Sequence, residues 1–152
     1  KYTSFAIHHF SQGGKKIDKE AVAEVYARFD GITSCLQRVM NVLYFQTPPN
    51  GHCTTAMIDD AVNYLLDLST ENYQTLWSQL SEKQRIVFRA IAAEGKAMNV
   101  TGGAFINKYG LWSPSSVMSA IKALLDKDFV TQDGEAYIAY DKFFALWLIR
   151  EI

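Results

Sequence analysis

The chain has 152 residues, of which 49% are hydrophobic and 13% aromatic, enough to bury the core of one domain or of two small ones. Its formal net charge is −1, whereas a protein that holds DNA mainly by neutralising phosphates usually has an excess of basic residues. Its two cysteines, Cys35 and Cys53, lie far apart, so we expect reduced thiols and a cytoplasmic protein. No apolar run of about 18 residues exists, so we expect no membrane span.

The first half of the chain predicts helices only. Apolar residues at helical spacing predict a short helix in "YTSFAIHHF" and a longer one in "KEAVAEVYARFD", which Asp18 is placed to cap. Further helices are predicted in "ITSCLQRVMNVLYFQ" and, after the loop "TPPNGH", in "AMIDDAVNYLLDL". Ser69 is expected to cap a separate short segment, and no strand pattern appears before about residue 97.

The second half begins with better-marked helices. Ser81 and Gln84 form a capping-box pattern at the start of "LSEKQRIVFRAIAAEG", and a short helix is predicted near "AFINKYG". Ser113 followed by Pro114 marks the start of another helix, which is predicted to run to about Asp126.

A short hairpin and a last helix complete the pattern. The strands are predicted in "FVTQ" and "AYIAY", joined by the turn Asp133-Gly134-Glu135, and Asp141 is placed to cap "KFFALWLIREI". Helix, short helix, turn, helix and hairpin in this order predict a winged helix-turn-helix. The fold class expected is therefore mainly α, with a helical first half followed by a winged helix and its β-hairpin wing.

The helix after Ser113 occupies the position of a DNA-recognition helix, but its outward residues are unusual for that role. By spacing, the outward positions are Ser115, Ser116, Met118, Ser119, Lys122 and Ala123. Base edges are read most often by Arg, Lys, Asn or Gln, so three serines and one lysine favour contact of low specificity. The candidate contacts with DNA or a partner protein are Ser115, Ser116, Ser119, Lys122 and, on the preceding short helix, Lys108.

The wing gives less support to DNA binding. Its tip carries Asp133 and Glu135, two negative charges where a DNA-binding wing would place Arg or Lys beside phosphate. From Gln79 to Ile152 there are nine basic and eight acidic residues, so this half is close to neutral. Its lysines and arginines could equally be ordinary solvated surface charges.

The last helix carries many large apolar side chains. Phe143, Phe144 and Trp147 present more aromatic surface than one small domain easily hides. They are predicted either to close the core of the winged helix or to form a hydrophobic docking face for another domain or a second copy of the chain.

No pattern of residues predicts catalysis or metal binding. His8-His9 and His52-Cys53 are adjacent pairs rather than spaced zinc ligands, and Asp59 and Asp60 point to different faces of a helix. The run Gly13-Gly14-Lys15-Lys16 is basic and flexible, but no strand precedes it and no Ser or Thr follows, so it predicts a turn rather than a phosphate loop. We therefore expect a chain that is not an enzyme and holds no cofactor.

Several stretches together resemble a known family. The stretches "FSQGGKKIDKEAVAEVYARFDGITSCLQRVMNVLY", "LSEKQRIVFRAIAAEG", "LWSPSSVMSAIKALLDKDFV" and "YDKFFALWLIREI" are similar to the C-terminal part of the prokaryotic AAA-type P-loop ATPases (archaeal-type, STAND-related). In that family a nucleotide-binding domain is followed by a helical lid and a winged helix, which often ends in an element of the form D-x-F-F-x-L-W-L. That element is present here from Asp141 to Leu148.

The resemblance implies a lid-like domain over residues 1–78 and a winged-helix domain over 79–152. It implies that the phosphate loop, with ATP and Mg²⁺, belongs to an upstream nucleotide-binding domain, and the start at Lys1 without methionine agrees with an expected fragment. Nucleotide-proximal candidates are then Gly31, Gln37 and Arg38. Relatives that sense the γ-phosphate carry an arginine shortly after the glycine, whereas this chain has Ile32, Thr33 and Ser34 there. Arg38 lies about one turn further along and is only a weak substitute for that arginine.

Three functions remain open. The first is a non-catalytic regulatory fragment of an AAA-type ATPase, whose winged helix contacts a partner protein or DNA. The second is a free-standing winged-helix transcription regulator that dimerises through its helical half. The third is a protein-interaction adaptor that associates through Phe143, Phe144 and Trp147, with a second copy of the chain among the candidate partners.

Overall fold

The computed structural model describes every residue from Lys1 to Ile152 and divides into two compact units, Lys1–Leu68 and Ser69–Ile152. The division between the units, after Leu68, lies inside the helix Ile58–Ser78. The predicted domain boundary, between residues 78 and 79, lies at the end of that same helix. The helices and strands in chain order are α1 Tyr2–Gln12, β1 Lys16–Ile17, α2 Lys19–Arg28, α3 Thr33–Gln46, β2 His52–Cys53, a 3₁₀ turn Thr55–Met57, α4 Ile58–Ser78, α5 Glu82–Glu94, α6 Gly103–Tyr109, α7 Pro114–Asp126, β3 Val130–Asp133, β4 Ala136–Ala139 and α8 Lys142–Glu151.

The first unit is built from helices whose apolar stripes face one another. The buried side chains include Phe10 of α1, Val22 and Val25 of α2, and Val39 and Leu43 of α3. These positions recur at the three- and four-residue spacing that places side chains on one face of a helix. The helix predictions for this half of the chain are thus confirmed, with one difference. Ser69 lies inside α4, which continues to Ser78, instead of capping a separate segment.

A two-stranded parallel sheet also belongs to this unit, contrary to the expectation that no strand precedes residue 97. Lys16 pairs with His52 and Ile17 with Cys53. Each strand has only two residues, too short for an alternating apolar pattern to be visible in the sequence. The pairing joins segments that are more than thirty residues apart, and only the packing of the surrounding helices brings them together.

Asp18 has a different role from the one predicted. It occupies the N-cap position of α2, but its side chain accepts no hydrogen bond from the helix. Its carboxylate instead lies against the imidazole of His52, the neighbouring residue on β2. A long-range partner has therefore replaced the local backbone donors that usually hold an N-cap carboxylate.

In the second unit, the predicted helix starts are confirmed by hydrogen bonds. Ser81 and Gln84 form the full capping box at the start of α5. The Ser113 hydroxyl accepts the backbone N–H of Ser116, with Pro114 in the first turn of α7. The carboxylate of Asp141 accepts the backbone N–H groups of Phe143 and Phe144 at the start of α8. These caps satisfy donors that the helices leave unpaired at their N-termini.

The wing is an antiparallel hairpin of β3 and β4, with Asp133 paired to Ala136 across a two-residue loop. Gly134, at the first position of this loop, has φ of 63°, the left-handed conformation that tight hairpin turns require. A bridge between Ala97 and Tyr137 adds the segment after α5 to the outer side of β4. Helices α5, α6 and α7 with this hairpin form a winged helix, so the predicted fold class is confirmed for this part of the chain.

An aromatic cluster fills the core of the second unit. The Phe144 ring stacks on Tyr73 with centroids 4.5 Å apart and meets the edges of Phe88 and Trp147 at 5.3 and 6.0 Å. Such ring pairs add about 0.5–1.5 kcal/mol each beyond the area that they bury. The cluster joins α8 to α5 and to the last turns of α4.

No helix in the structure combines the length and the apolar character needed to cross a membrane.

Replacing Asp141 by Ala removes the cap of α8, and we expect the free energy of unfolding of the second unit to fall by about 1–2 kcal/mol. Urea denaturation followed by tryptophan fluorescence measures this, because all three tryptophans lie between Ser69 and Ile152. The matched control is Asp141→Asn, since Asn caps helices about as well as Asp. An alanine variant as stable as the unsubstituted chain would contradict the capping role.

Candidate interaction surface

The recognition-helix position is occupied by α7, which is fixed against α5 by its apolar face. Val117, Ile121 and Leu124 are each fully buried on that face, and Ala120 is 6% exposed. The same helix turns Ser115, Met118, Ser119 and Lys122 toward solvent. The predicted inward face of α7 is confirmed, and so is the outward face at these four positions, whereas Ser116 and Ala123, which were also predicted to point outward, are half-buried.

The outward face of α7 offers few groups for base reading. The hydroxyls of Ser115 and Ser116 lie 3.2 and 3.1 Å from that of Ser113, so they form a small network at the helix cap. Ser119 and Lys122 then remain as the exposed polar pair, three residues apart on one face of the helix. Lys122 takes part in no ion pair and is the cation that α7 presents to a ligand.

Lys108 does not share the situation of Lys122. Its ammonium group lies 2.9 Å from Oε2 of Glu94, and the same oxygen accepts the hydroxyl of Tyr109. The hydrogen bond from Tyr109, followed by that from Lys108, holds the pKa of Glu94 below its usual value. The hydrogen bond to Glu94 raises the pKa of Lys108 in turn. This cluster links the end of α6 to the end of α5. Lys108 is therefore already engaged in a contact within the helix-turn-helix.

Three further cations of the second unit, Lys83, Arg85 and Lys96, also have partners within it. Lys96 lies 3.5 Å from Asp133 on the wing, which partly neutralises the acidic tip, while Glu135 stays exposed. The Lys83 ammonium sits 5.1 Å from the centre of the Trp112 ring, and Arg85 donates to the carbonyl of Trp77. Between Ser69 and Ile152 there are nine basic and nine acidic residues, so the second unit as a whole carries no net positive charge.

The aromatic residues of α8 take the first of their two predicted roles and close the core of the second unit, so the alternative of a docking face formed by them is wrong. Phe143, Phe144 and Trp147 are only 2, 3 and 3% exposed. Trp147 also donates from Nε1 to the hydroxyl of Thr70 at 3.1 Å, which satisfies its one polar atom. Because these three side chains are buried in the core, they do not form an exposed hydrophobic surface.

The nucleotide-proximal candidates lie in the first unit. Gly31 has φ of 68°, and a Cβ atom there would come within 2.8 Å of the Tyr26 ring, so both the conformation and the space require glycine. It directly precedes the N-cap residue of α3, and Gln37 and Arg38 are exposed in the second turn of that helix. Gly31, Gln37 and Arg38 therefore all lie at or near the N-terminal end of α3. Their contact with nucleotide stays a prediction.

A groove on the second unit was not foreseen from the sequence. It has a volume of about 400 Å³ and is lined by residues of α5 and α8 together with Tyr109 at the end of α6. The sequence feature that could have indicated it is the pair of apolar residues Ile149 and Ile152, which follow the buried aromatic residues of the last helix. Elsewhere, no group of three or more His, Cys, Asp or Glu side chains is arranged to hold a metal ion.

Because its folded-state pKa is lowered, Glu94 stabilises the helix-turn-helix most fully above the pKa of an unfolded Glu, about 4.3, and less as the pH falls through its folded pKa. We expect Glu94→Gln to be less stable than the unsubstituted chain at neutral pH, with the difference shrinking below about pH 4. Urea denaturation at several pH values measures this, with Glu82→Gln as control. A difference that stays constant with pH would contradict the role of the Glu94 charge.

Comparison with known proteins places the second unit in a family. The family model described as "Probable winged helix domain" matches residues 71–150, which is more than half of the chain. No curated protein and no solved structure matches the chain. The matched residues include all of α5, α6, α7, β3 and β4, the elements that form the winged helix. The chain belongs to this winged helix domain family.

Proposed function

We propose that the chain is a non-catalytic regulatory module whose winged helix contacts a partner protein. The observation that carries this proposal is the outward face of α7, where Lys122 is the single cation and the surrounding exposed residues are Ser115, Met118 and Ser119. A surface of small polar side chains with one apolar residue is better suited to a protein than to the phosphates and base edges of DNA.

The charges around α7 support the same choice. Each phosphate neutralised by a protein contributes about 0.9 to the slope of affinity against salt, so a protein held by many phosphates needs many accessible cations. Here Lys108 and Lys96 are paired with carboxylates, and the wing tip adds the exposed Glu135. Few favourable contacts with a DNA backbone remain to the winged helix.

The parent protein that we propose is an AAA-type ATPase, with residues 1–78 as its lid and 79–152 as its winged-helix domain. The sequence resemblance supports this, and so does the start of α3. Gly31 directly precedes Ile32, the N-cap residue of α3, which provides no side-chain cap, and the N–H groups at a helix N-terminus favour anions such as nucleotide phosphates. ATP and Mg²⁺ would be held by the upstream nucleotide-binding domain, with Gln37 and Arg38 facing the nucleotide from the lid.

The alternative is a free-standing transcription regulator that binds DNA through the winged helix. One observation favours it, namely that Ser119 and Lys122 are both exposed on the same face of α7, where a recognition helix would meet the major groove. The acidic residues of the wing count against it.

A DNA titration separates the two proposals. We expect duplex DNA to bind with a dissociation constant no tighter than about 10⁻⁵ M at physiological salt, and with a logarithmic salt slope of about −2 or smaller. Lys122→Ala should change this slope by at most about one, as should the control Lys127→Ala at another exposed position. Fluorescence anisotropy measures both. Nanomolar, sequence-dependent binding that is lost in Lys122→Ala and Ser119→Ala would establish the alternative.

The parentage is tested on the protein that contains this chain. We expect the reading frame upstream of Lys1 to encode a phosphate loop. In that longer protein, Arg38→Ala should slow ATP hydrolysis, while the exposed control Lys19→Ala on α2 should not. Steady-state ATPase rates measure this. An upstream sequence without a phosphate loop, or an isolated chain that hydrolyses ATP, would overturn the assignment.

A further inference from the structure

The loop between α3 and β2 contains a chemically reactive pair of residues, Asn50 followed by Gly51. Because glycine has no Cβ, its backbone nitrogen is open to approach by the side-chain amide of a preceding asparagine. Of the six asparagines in the chain, only Asn50 precedes a glycine, and the others precede valine, tyrosine or lysine. Asn50 is exposed, and its side-chain amide is held by no hydrogen bond.

The fold requires both residues of this pair. Gly51 donates its N–H to the carbonyl of Pro48 at 2.8 Å, which closes a tight turn with Pro49 and Asn50 at its centre. Asn50 has φ of 60°, the left-handed conformation that a type II turn needs after its proline and that asparagine tolerates better than most residues. A Cβ atom on Gly51 would lie 2.7 Å from the Pro48 carbonyl oxygen, so a larger residue does not fit. The turn therefore fixes an asparagine directly before a glycine at an exposed position.

Two backbone hydrogen bonds connect the same pair to the turn that follows α1. The N–H of Asn50 donates to the carbonyl of Gly14 at 3.1 Å, and the carbonyl of Gly51 accepts the N–H of Lys16 at 3.0 Å. The peptide bond between Asn50 and Gly51 lies between these two contacts, immediately before the pairing of β1 with β2. A change in the length of the main chain at this point must disturb at least one of them.

We propose that Asn50 is a site of deamidation and that its modification loosens the pairing of β1 with β2. The backbone nitrogen of Gly51 gives its proton to water and attacks Cγ of Asn50. A C–N bond forms to Gly51, the C–N bond to the side-chain nitrogen breaks, and ammonia leaves a succinimide ring behind. Water then adds to one of the two ring carbonyls and opens the ring to aspartate or isoaspartate. Water is the only co-reactant, and nothing is oxidised or reduced.

Isoaspartate changes the course of the main chain. Its backbone passes through the former side chain, which inserts one carbon atom before Gly51 and adds about 1.5 Å to the path. The hydrogen bonds to Gly14 and Lys16, on either side of the insertion, then cannot both be kept. The inference concerns the first unit alone and does not depend on the partner of the winged helix or on the parent protein.

Mass spectrometry of the full 152-residue chain, aged at mildly alkaline pH, tests the site. Trypsin leaves residues 39–83 in one peptide, because no lysine or arginine lies between Arg38 and Lys83. That peptide contains three further asparagines as internal controls, all of them in helices: Asn41, Asn63 and Asn72. We expect fragmentation to place the exchange of –NH₂ for –OH on Asn50 and to leave the controls amidated. The rate should rise with pH, since the attacking nitrogen must lose its proton.

Hydrogen exchange measures the consequence for the strand pairing. As isoaspartate accumulates, the N–H of Lys16 should exchange up to about tenfold faster, which corresponds to the loss of one net hydrogen bond. The matched control Asn50→Gly keeps the left-handed turn and lacks the reactive amide, so its exchange should not change with age. Freshly prepared Asn50→Asp carries the charge of the product without the extra backbone atom, and it should exchange like the fresh, unsubstituted chain.

Three results would overturn the inference. The first is an Asn50 that stays amidated in the folded chain under conditions in which the urea-unfolded chain reacts, because the hydrogen bond from Gly51 to Pro48 would then protect it fully. The second is an aged chain with isoaspartate at position 50 and unchanged exchange at Lys16. The third is an Asn50→Gly variant whose exchange accelerates with age as much as that of the unsubstituted chain.

Discussion

The second unit depends on the burial of Phe144, which lies at the centre of its aromatic core. The ring contacts Tyr73, Phe88, Phe129 and Trp147, so one side chain joins the end of α4, α5, the start of the wing and α8. Two polar groups hold this arrangement in register. Asp141 caps α8 and also accepts the hydroxyl of Tyr73 at 3.0 Å, and Trp147 donates to Thr70. Burial of the aromatic rings stabilises the second unit. The two hydrogen bonds to Tyr73 and Thr70 fix the rotation of α8 about its axis, so that its aromatic face points into this core.

The burial of its aromatic face leaves α8 with little exposed apolar surface. Since its aromatic face closes the core, the apolar surface that α8 still presents is the edge formed by Ile149 and Ile152. Opposite that edge, α5 carries small side chains and Arg89, so a groove lies between the two helices.

The distribution of charged residues in the second unit differs from that of most DNA-binding winged helices. The second unit holds as many acidic as basic residues, and two of its lysines are paired with carboxylates, Lys108 with Glu94 and Lys96 with Asp133. The winged-helix shape is therefore separated from the charge pattern that usually accompanies it in DNA-binding proteins.

The sequence by itself determined the helices and their starts, the hairpin, and the inward and outward faces of α7. These features depend on neighbouring residues, such as Ser81 with Gln84 and Gly134 within its turn, and local interactions can be read from spacing. Tertiary structure alone decided the pairing of β1 with β2, the partner of Asp18, the burial of Phe143 and Trp147, and the groove between α5 and α8. Each of these depends on residues far apart in the chain, whose meeting is set by how whole helices pack and leaves no periodic signal in either segment.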